Sequence, residues 1–417
     1  MGKTVGVIGA GMVGMVAASF LQRDGHEVFV LDPGVPGEGA SFGNAGCLNG
    51  SSVVPMSMPG TVRNVPRWLL DPLGPLAIRW RYLPVIAPWL IRFVRAGSPE
   101  RVKAQARALR ALLAPSIETL RPLAKAAGVE DLVHRAGHLW VYRTEESFRK
   151  DGAAWRLRRD NGVVVTELDA DQLRQTEPAL SREFTRGILV EENGHIGNPH
   201  RMVQGLAQEL QRSGGEIHVA RATGFALEAG RLKAIRSDVG EFPCDAAVLA
   251  AGAWSKPLAA ELGDRVPLET ERGYHIMIRD PEAMPRLPIA DADGKFVGTP
   301  METGLRFAGT VELAGLHAPP DWRRARRLLE QGRRLFPGLK PSYPEERLSL
   351  WMGHRPSLPD SLPCLGPSTR SSDVIYAYGH GHVGMAASPM TGKLVADLVT
   401  GRTPSIDIAA FSPRRFA

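Results

Sequence analysis

The chain has 417 residues, of which 43% are hydrophobic and 23% are charged. This composition is typical of a soluble globular protein with a large core, and it excludes a disordered, collagen-like or coiled-coil chain. The length predicts two lobes. Three cysteines (Cys47, Cys244 and Cys364) are too few and too scattered for a disulfide scaffold or a zinc site, which favours a reducing compartment.

The net charge of +7 is concentrated in one segment. Between residues 61 and 110, ten basic residues stand against two acidic ones, interleaved with Trp68, Trp80 and Trp89. No recognisable nucleic-acid-binding module accompanies them, so we predict no nucleic-acid partner. The apolar stretch at 82–91 is interrupted by two prolines and is too short to span a bilayer.

This basic-aromatic segment, 61–110, has two interpretations. Its tryptophans either belong to the core of helices or form an interfacial patch that contacts anionic lipid. The first residues do not have the apolar region and cleavage site of a signal peptide. We therefore expect a cytoplasmic protein that, under the second interpretation, contacts the inner face of the membrane.

The first elements of the chain carry a dinucleotide-binding fingerprint of strand, glycine turn, helix, strand and acid. Its members are, in chain order, a strand at 3–8, a turn with Gly9, Gly11, Met12, Val13 and Gly14, a helix at 15–23, a strand at 27–31, and Asp32. The glycines allow a tight turn and a close approach of a pyrophosphate to the helix N-terminus. Asp32 would accept hydrogen bonds from ribose hydroxyls. The fingerprint does not separate FAD from NAD, because the two share the ADP half.

Further segments favour FAD over NAD. They are a loop with Ser41, Asn44, Ala45 and Gly46; the end of a strand at 216–220 with Val219; a strand-to-helix corner with Ala251, Gly252 and Trp254; and a turn with His380, Gly381, His382, Val383, Gly384 and Met385. The last turn lies between a predicted strand at 374–378 and a predicted helix at 385–400. The N-terminus of that helix would stabilise a negative charge such as that of a reduced flavin. If the protein bound only NAD, this second strand, glycine turn and helix near the C-terminus would have no explanation.

These motifs, together with Gly353-x-Arg355-Pro, resemble the FAD-dependent amino-acid dehydrogenases of the D-amino-acid oxidase superfamily, most closely the bacterial D-amino-acid dehydrogenases of the small-subunit type. The resemblance covers nearly the whole chain. It implies an α/β fold (α+β overall), with a discontinuous Rossmann-like FAD-binding domain, an antiparallel-sheet substrate domain and FAD bound without a covalent link. The expected FAD-binding domain comprises 1–52, 190–262 and 345–417, and the expected substrate domain comprises 53–189 and 263–344.

The resemblance implies oxidative deamination of a D-amino acid or a cyclic imino acid such as D-proline or hydroxyproline. Hydride passes from Cα to flavin N5, and water hydrolyses the imine to a 2-oxo acid. Arg355 is expected to hold the substrate carboxylate, because its planar guanidinium grips a carboxylate at two points. Tyr274 is expected to donate a hydroxyl hydrogen bond to the same carboxylate, in preference to His275, which faces the other side of a strand. His382 completes the expected catalytic group, with hydrogen bonding favoured over general-base catalysis.

The electron acceptor is expected to be a quinone or another carrier. Two alternatives stay open: an oxygen-using oxidase of the glycine or sarcosine type, and a flavoprotein subunit of a hetero-oligomeric complex. The histidines are dispersed without a ligand-spaced set of carboxylates, so no metal site is predicted.

Overall fold

The computed structural model describes residues 2–60, 71 and 73–416. Within these residues the chain forms 21 strands and 11 α-helices. The strands are β1 Thr4–Ile8, β2 Glu27–Asp32, β3 Cys47–Leu48, β4 Leu76–Ile78, β5 Val133–His134, β6 His138–Tyr142, β7 Thr166–Leu168, β8 Arg186–Val190, β9 Gly194–Ile196, β10 Glu216–Val219, β11 Ala222–Glu228, β12 Arg231–Ser237, β13 Gly240–Pro243, β14 Ala246–Leu249, β15 Glu269–Ile278, β16 Ile289–Asp291, β17 Phe296–Met301, β18 Gly304–Leu313, β19 Leu348–Ser357, β20 Cys364–Pro367 and β21 Val374–Tyr378. The helices are α1 Met12–Arg23, α2 Leu83–Ala96, α3 Pro99–Leu113, α4 Ser116–Ala126, α5 Glu145–Lys150, α6 Gly152–Asp160, α7 Ala170–Thr176, α8 Pro199–Arg212, α9 Ser255–Glu261, α10 Trp322–Leu335 and α11 Gly384–Thr400.

The first sheet is built from strands at both ends of the chain. Its order is β10-β2-β1-β14-β21-β20, and only the β20–β21 pair is antiparallel. Both faces are covered, which explains why the strands read as nearly continuous apolar runs. In β1, for example, Val5 and Val7 pack under the helical layer, whereas Ile8 packs into the opposite core. This sheet confirms the expected Rossmann-like arrangement.

The second sheet is larger and mainly antiparallel. Its order is β19-β15-β18-β17-β16-β6-β8-β7, with β4 paired to β18. The β16–β6 and β18–β4 pairs are parallel. One face, with Tyr274, Ile276 and Phe307, packs in a core that includes residues of α10 such as Leu328. The opposite face is turned toward the first sheet, where the cavity described below lies.

One strand departs from the expected division of the chain. The expected FAD-binding domain includes 345–417, but β19 pairs with β15 over its entire length, from Leu348 opposite Ile278 to Ser357 opposite Glu269. The chain therefore leaves the large sheet only after Ser357. Pairing between strands about 80 residues apart is not visible in local sequence patterns, which explains the difference.

The basic-aromatic segment is described from residue 73 onward, with Asp71, so Trp68 lies outside the described residues. The two prolines do not break the apolar stretch, which forms the 14-residue helix α2. Trp89 is buried with Ile86 against Leu313, as the core interpretation predicts, whereas Trp80 is 71% exposed. No helix in the part of the chain that the structure describes has the length and apolarity to cross a membrane.

Candidate active site

A cavity of about 940 Å³ lies between the two sheets. Its wall includes the β1–α1 turn, the loop after β2, the corner after β14, the turn before α11, and the inner face of the large sheet. Segments from both termini thus meet around one space, as the sequence predicts. Most of the predicted site residues line it: Gly9, Gly11, Met12, Val13, Asp32, Ser41, Asn44, Ala45, Ala251, Gly252, Trp254, Tyr274, Arg355, His380, Gly381, His382, Val383, Gly384 and Met385.

The β1–α1 turn depends on its glycines for different reasons. Gly9 adopts φ +109°, and a Cβ at Gly14 would lie 1.9 Å from the carbonyl oxygen of Gly9. A Cβ at Gly11 would make only an ordinary contact, 3.5 Å from Ser41 Oγ, so the backbone there faces open space. The Met12 amide donates to Ser41 Oγ at 3.0 Å, which joins the helix N-terminus to the loop after β2.

Asp32 holds the same turn from the end of β2. Its Oδ2 accepts a hydrogen bond from the Ala10 amide at 2.7 Å, and its Oδ1 accepts one from the Gly34 amide at 2.8 Å. The carboxylate also lines the cavity. Each oxygen has a second lone pair, so Asp32 can organise the turn and accept hydrogen bonds from a ligand at the same time.

The loop at 41–46 is held from behind by buried side chains of the large sheet. Arg306 Nη1 donates to the Asn44 carbonyl at 2.6 Å, and His275 Nδ1 lies 2.9 Å from the Gly43 carbonyl. A carbonyl only accepts, so Nδ1 is the protonated nitrogen of His275. Burial lowers the pKa of His275 to about 3 and that of Arg306 to about 10, so the ring is neutral and the guanidinium is charged at neutral pH. The sequence analysis did not identify Arg306.

The turn before α11 presents backbone to the cavity. Gly381 adopts φ +52°, and Gly252 across the cavity adopts φ +55° with no atom within 4 Å of its Cβ position. His380 is buried, with its Nε2 3.0 Å from Thr391 Oγ1, and burial lowers its pKa to about 3. His382 is exposed to the cavity but surrounded by protein, which together with the charge of Arg355 lowers its pKa to about 4. Both histidines are neutral at neutral pH.

Arg355 lies on the cavity face of β19, opposite Glu271 on β15. Two glycines make room for it and for its neighbour: a Cβ at Gly273 would lie 2.3 Å from the Arg355 guanidinium, and a Cβ at Gly353 would lie 1.9 Å from the Trp351 ring. Arg355 Nη1 donates to the Thr310 carbonyl at 2.9 Å. Burial lowers the pKa of Arg355 and the nearby Glu271 raises it.

Backbone strain marks the same place. Thr310 has φ +60°, which is rare for a β-branched residue, and it lies within a register shift between β15 and β18. Such strain persists where the surrounding structure imposes it, often at functional sites. Asp360, five residues further along the chain, pairs with Arg415 at 2.8 Å and not with Arg355.

The expected role of Tyr274 does not agree with its geometry. Its hydroxyl donates to Glu312 Oε2 at 2.6 Å and accepts from the Asp321 amide at 3.0 Å, and its side chain packs in the core behind the sheet. The single hydroxyl proton is therefore used, and none is left for a substrate carboxylate. Glu312 is itself buried and forms ion pairs with Arg79 and Arg272. Tyr274 is part of the cavity wall, but its hydroxyl is used behind the sheet. Strand alternation turns His275 to the opposite face of β15, where its ring contacts the loop at 41–46.

Three of the predicted residues, Gly14, Gly46 and Val219, do not line the cavity. Val219 is 77% exposed, and the wall is formed instead by Arg221 and Ala222, just after β10 ends. Gly14 and Gly46 support the wall from behind, since a Cβ at Gly46 would lie 2.5 Å from the Ile196 carbonyl. The sequence analysis also did not identify a group of cavity residues contributed by distant elements: Asn49, His138, Trp140, Arg158, Trp351 and His354.

The three cysteines are free thiols. Cys47 lines the cavity, and burial raises its pKa to about 12, so it is protonated at neutral pH. Within the described residues, no group of three or more His, Cys, Asp or Glu side chains is arranged to hold a metal ion.

The model of one protein family, described as FAD dependent oxidoreductase, matches residues 4–398. The chain belongs to this family. A protein of Bradyrhizobium diazoefficiens named D-amino-acid oxidase is 48% identical to it over 418 residues, covering 100% of this chain and 99% of the relative. A protein of Ralstonia nicotianae named D-amino acid dehydrogenase 2 is 31% identical, covering 98% of this chain and 99% of the relative.

Two solved structures share the fold. Glycine oxidase from Bacillus cereus superposes with a TM-score of 0.74 at 20% identity, covering 96% of this chain and 95% of that chain. L-Proline dehydrogenase from P. horikoshii superposes with a TM-score of 0.75 at 18% identity, covering 100% and 98%. The likeness extends over both sheets.

The cavity fits FAD, the cofactor of this oxidoreductase family. The open backbone at Gly11 and the N-terminus of α1 suit its pyrophosphate, and Asp32 at the end of β2 suits the adenosine ribose. The N-terminus of α11, beside Val383 and Gly384, suits an anionic ring edge. Arg306 and His275 hold the intervening loop in place.

Proposed function

We propose that the protein catalyses the oxidative deamination of a D-amino acid or a cyclic imino acid, with D-proline and hydroxyproline among the candidates. When bound, FAD supplies the acceptor at flavin N5 for the hydride that leaves Cα. The product imine is hydrolysed by water to a 2-oxo acid. The names of the two relatives above support an amino-acid substrate of D configuration.

The observation that carries the proposal is the position of Arg355. Its guanidinium stands in the cavity wall and is fixed by the Thr310 carbonyl. Burial lowers the pKa of Arg355 and the nearby Glu271 opposes this effect, yet Arg355 forms no ion pair with any carboxylate of the described residues. A substrate carboxylate can therefore take the remaining N–H donors, and holding it in this way orients Cα.

The other titratable groups at this end of the cavity are two histidines. His382 and His354 are neutral, since burial lowers the pKa of each to about 4. A neutral His382 offers a ring nitrogen that can accept a hydrogen bond from the substrate amine. We assign it to hydrogen bonding and expect the amine to be neutral before hydride leaves.

FAD is proposed to bind without a covalent link. Cys47 and Cys364 are protonated thiols, because burial raises the pKa of each to about 12, and a thiol is a weak nucleophile. Denaturation with acid should release all of the flavin into the supernatant. Flavin that stays with the precipitated chain would contradict this assignment.

The proposed electron acceptor is a quinone or another carrier. Oxygen is the second candidate, because the 48% identical relative is named an oxidase. Peroxide formed in stoichiometric amounts during turnover would establish oxygen as the acceptor. Turnover with a soluble quinone and without peroxide would support the carrier.

The basic-aromatic segment is proposed to contact anionic lipid from the cytoplasmic side. The outer side of α2 exposes Val85 and Ile91 beside Arg92 and Arg95, and Trp80 precedes the helix. Apolar side chains ringed by arginines suit an anionic surface. The protein should co-sediment with anionic vesicles at low salt but not at high salt, and Ile91→Ser should weaken this binding. Equal behaviour with neutral vesicles would contradict the proposal.

Anaerobic reduction tests the proposed chemistry. The purified holoenzyme is mixed with D-amino acids, D-proline, hydroxyproline isomers and their L-enantiomers, and the flavin absorbance is followed. We expect bleaching by D-enantiomers with 2-oxo acid formed in equal amount. No bleaching by any amino acid or imino acid would overturn the proposal.

A further inference from the structure

We propose that Arg158 forms a second anion-binding site in the same cavity, so that the preferred substrates are amino acids that carry a second carboxylate. This inference rests on the proposed function, because it assumes that the substrate carboxylate at Arg355 belongs to an amino acid. It assigns Arg158 to the recognition of the substrate side chain.

Arg158 lies on α6, distant in sequence from every other charged residue considered above. Its guanidinium carbon is 4.3 Å from the centroid of the Trp155 ring and 5.7 Å from that of Trp140. The side chain lines the cavity, and its Nε is buried without a hydrogen-bond partner. Among the described residues it forms no ion pair. Burial lowers the pKa of Arg158 to about 10, and the charges of Tyr142 and Asp151 oppose this effect, so Arg158 stays charged at neutral pH.

The floor between Arg355 and Arg158 is open. One row of paired residues crosses the large sheet on the cavity side: His275 pairs with Ala308, Ala308 with Val297, Val297 with Ala290, and Ala290 with Trp140. Paired residues face the same side of a sheet, so three small side chains lie between the aromatic ends of the row. Those ends are close to the two arginines.

The length of this row sets the kind of molecule that can use both arginines. Arg355 contacts the backbone of β18, and Trp140 lies three strands further, on β6. Three strand spacings amount to about 14 Å between the strand that the Arg355 guanidinium contacts and the strand that carries Trp140. An amino acid with a small neutral side chain reaches only Arg355. A second carboxylate several bonds from the first reaches toward Arg158.

The charges that line the cavity also favour a substrate with a second carboxylate. The acidic residues that line it are Asp32 and Glu38, and both lie at the nucleotide end, after β2. Near Arg158, His138 is neutral because burial lowers its pKa to about 3. The phosphates of FAD belong to the N-terminus of α1, away from β6. A buried guanidinium without a carboxylate partner is most stabilised by an anion from the ligand.

Ligand binding to the holoenzyme tests this site without turnover. Glutarate, a dicarboxylate, and butyrate, a monocarboxylate, are titrated while the flavin absorbance and the heat of binding are recorded. We expect glutarate to bind at least ten times more tightly than butyrate, and Arg158→Gln to remove this preference, because a charge-assisted contact is lost. Arg158→Lys should keep part of it. Arg156→Gln, at an exposed arginine on the same helix, is the matched control and should behave like the original protein.

Steady-state kinetics provide the second arm. The ratio of kcat/KM for D-glutamate to that for D-alanine should fall at least tenfold in Arg158→Gln and stay unchanged in Arg156→Gln. An unchanged ratio together with equal binding of glutarate and butyrate would overturn this inference and leave Arg158 a packing partner of Trp155. Failure of every amino acid to bleach the flavin would instead overturn the proposed function, and the glutarate titration would still decide whether Arg158 binds an anion.

Discussion

The two sheets contribute to the cavity in different ways. The parallel sheet contributes backbone, at the glycine turns after β1 and before α11, where Gly9 and Gly381 adopt positive φ. The large sheet contributes side chains, chiefly arginines and aromatic rings on one face. A backbone site recognises a group common to many enzymes, whereas a side-chain site can be changed residue by residue. We infer that the first side determines the cofactor and the second the substrate.

The largest expected effect comes from a substitution in a glycine turn of the parallel sheet. In Gly14→Val, a Cβ would lie 1.9 Å from the Gly9 carbonyl, so α1 cannot lie on β1. We expect a loss of more than about 4 kcal/mol in the free energy of unfolding and almost no bound flavin. Gly152→Ala is the control: its Cβ would have no atom within 4 Å, so this variant should keep the stability and the bound flavin of the original protein. Urea unfolding and flavin absorbance measure the two quantities, and a stable yellow Gly14→Val protein would contradict the account.

The second largest effect is expected from removing an arginine side chain of the large sheet. Arg355→Ala removes the proposed carboxylate anchor, which should lower kcat/KM by at least about thirtyfold, since such contacts contribute about 2–5 kcal/mol. The flavin should stay bound, because the role proposed for Arg355 is to hold the substrate and not the FAD. Arg355→Lys should recover part of the loss by restoring the charge. Equal kinetics for the original and Arg355→Ala proteins would remove this residue from the site.

A smaller change separates cofactor affinity from folding. Gly11 has φ −78°, which any residue adopts, and its Cβ position faces the cavity. Gly11→Ala should therefore fold with unchanged stability but bind FAD about tenfold more weakly, because the methyl group meets the pyrophosphate. Titration of the flavin-free protein with FAD measures the affinity. Unaltered affinity would place the pyrophosphate elsewhere.

A further expected effect, on the pH dependence of stability, involves one buried histidine from each sheet. His275 and His380 are buried, and burial lowers the pKa of each to about 3. The unfolded chain binds protons at these residues below about pH 6.5 and the folded chain does not, so stability is lost as the pH falls. At pH 5 the loss is about 2 kcal/mol for each histidine. Urea unfolding at pH 7 and pH 5 should show a smaller loss for His275→Gln than for the original protein; an equal loss would contradict the lowered pKa.

The backbone side was largely predictable from the sequence. Glycines, apolar runs and caps are local signals, and they located β21 at 374–378 and the end of α11 at Gly401, which adopts φ +80°. The error at Val219 has a local cause as well. The strand was predicted one residue too long, and the cavity wall begins after it, at Arg221.

The side-chain side was only partly predictable. Arg355 was found through a family motif, but the orientation of Tyr274 depends on which face of β15 meets the core, and sequence alternation alone does not decide that. Arg158 and Trp140 reach the cavity through α6 and β6, whose neighbour β16 lies about 150 residues further along the chain. Contacts of this range leave no periodic signal.

The most direct test of the central claim is the FAD content of the purified chain. The account holds that the turns near the two termini close around one cofactor. We predict one equivalent of FAD per chain by absorbance after denaturation, falling to almost none when either turn is blocked by Gly14→Val or Gly384→Val. A chain that takes up no FAD, or that keeps a full equivalent in both variants, would contradict it.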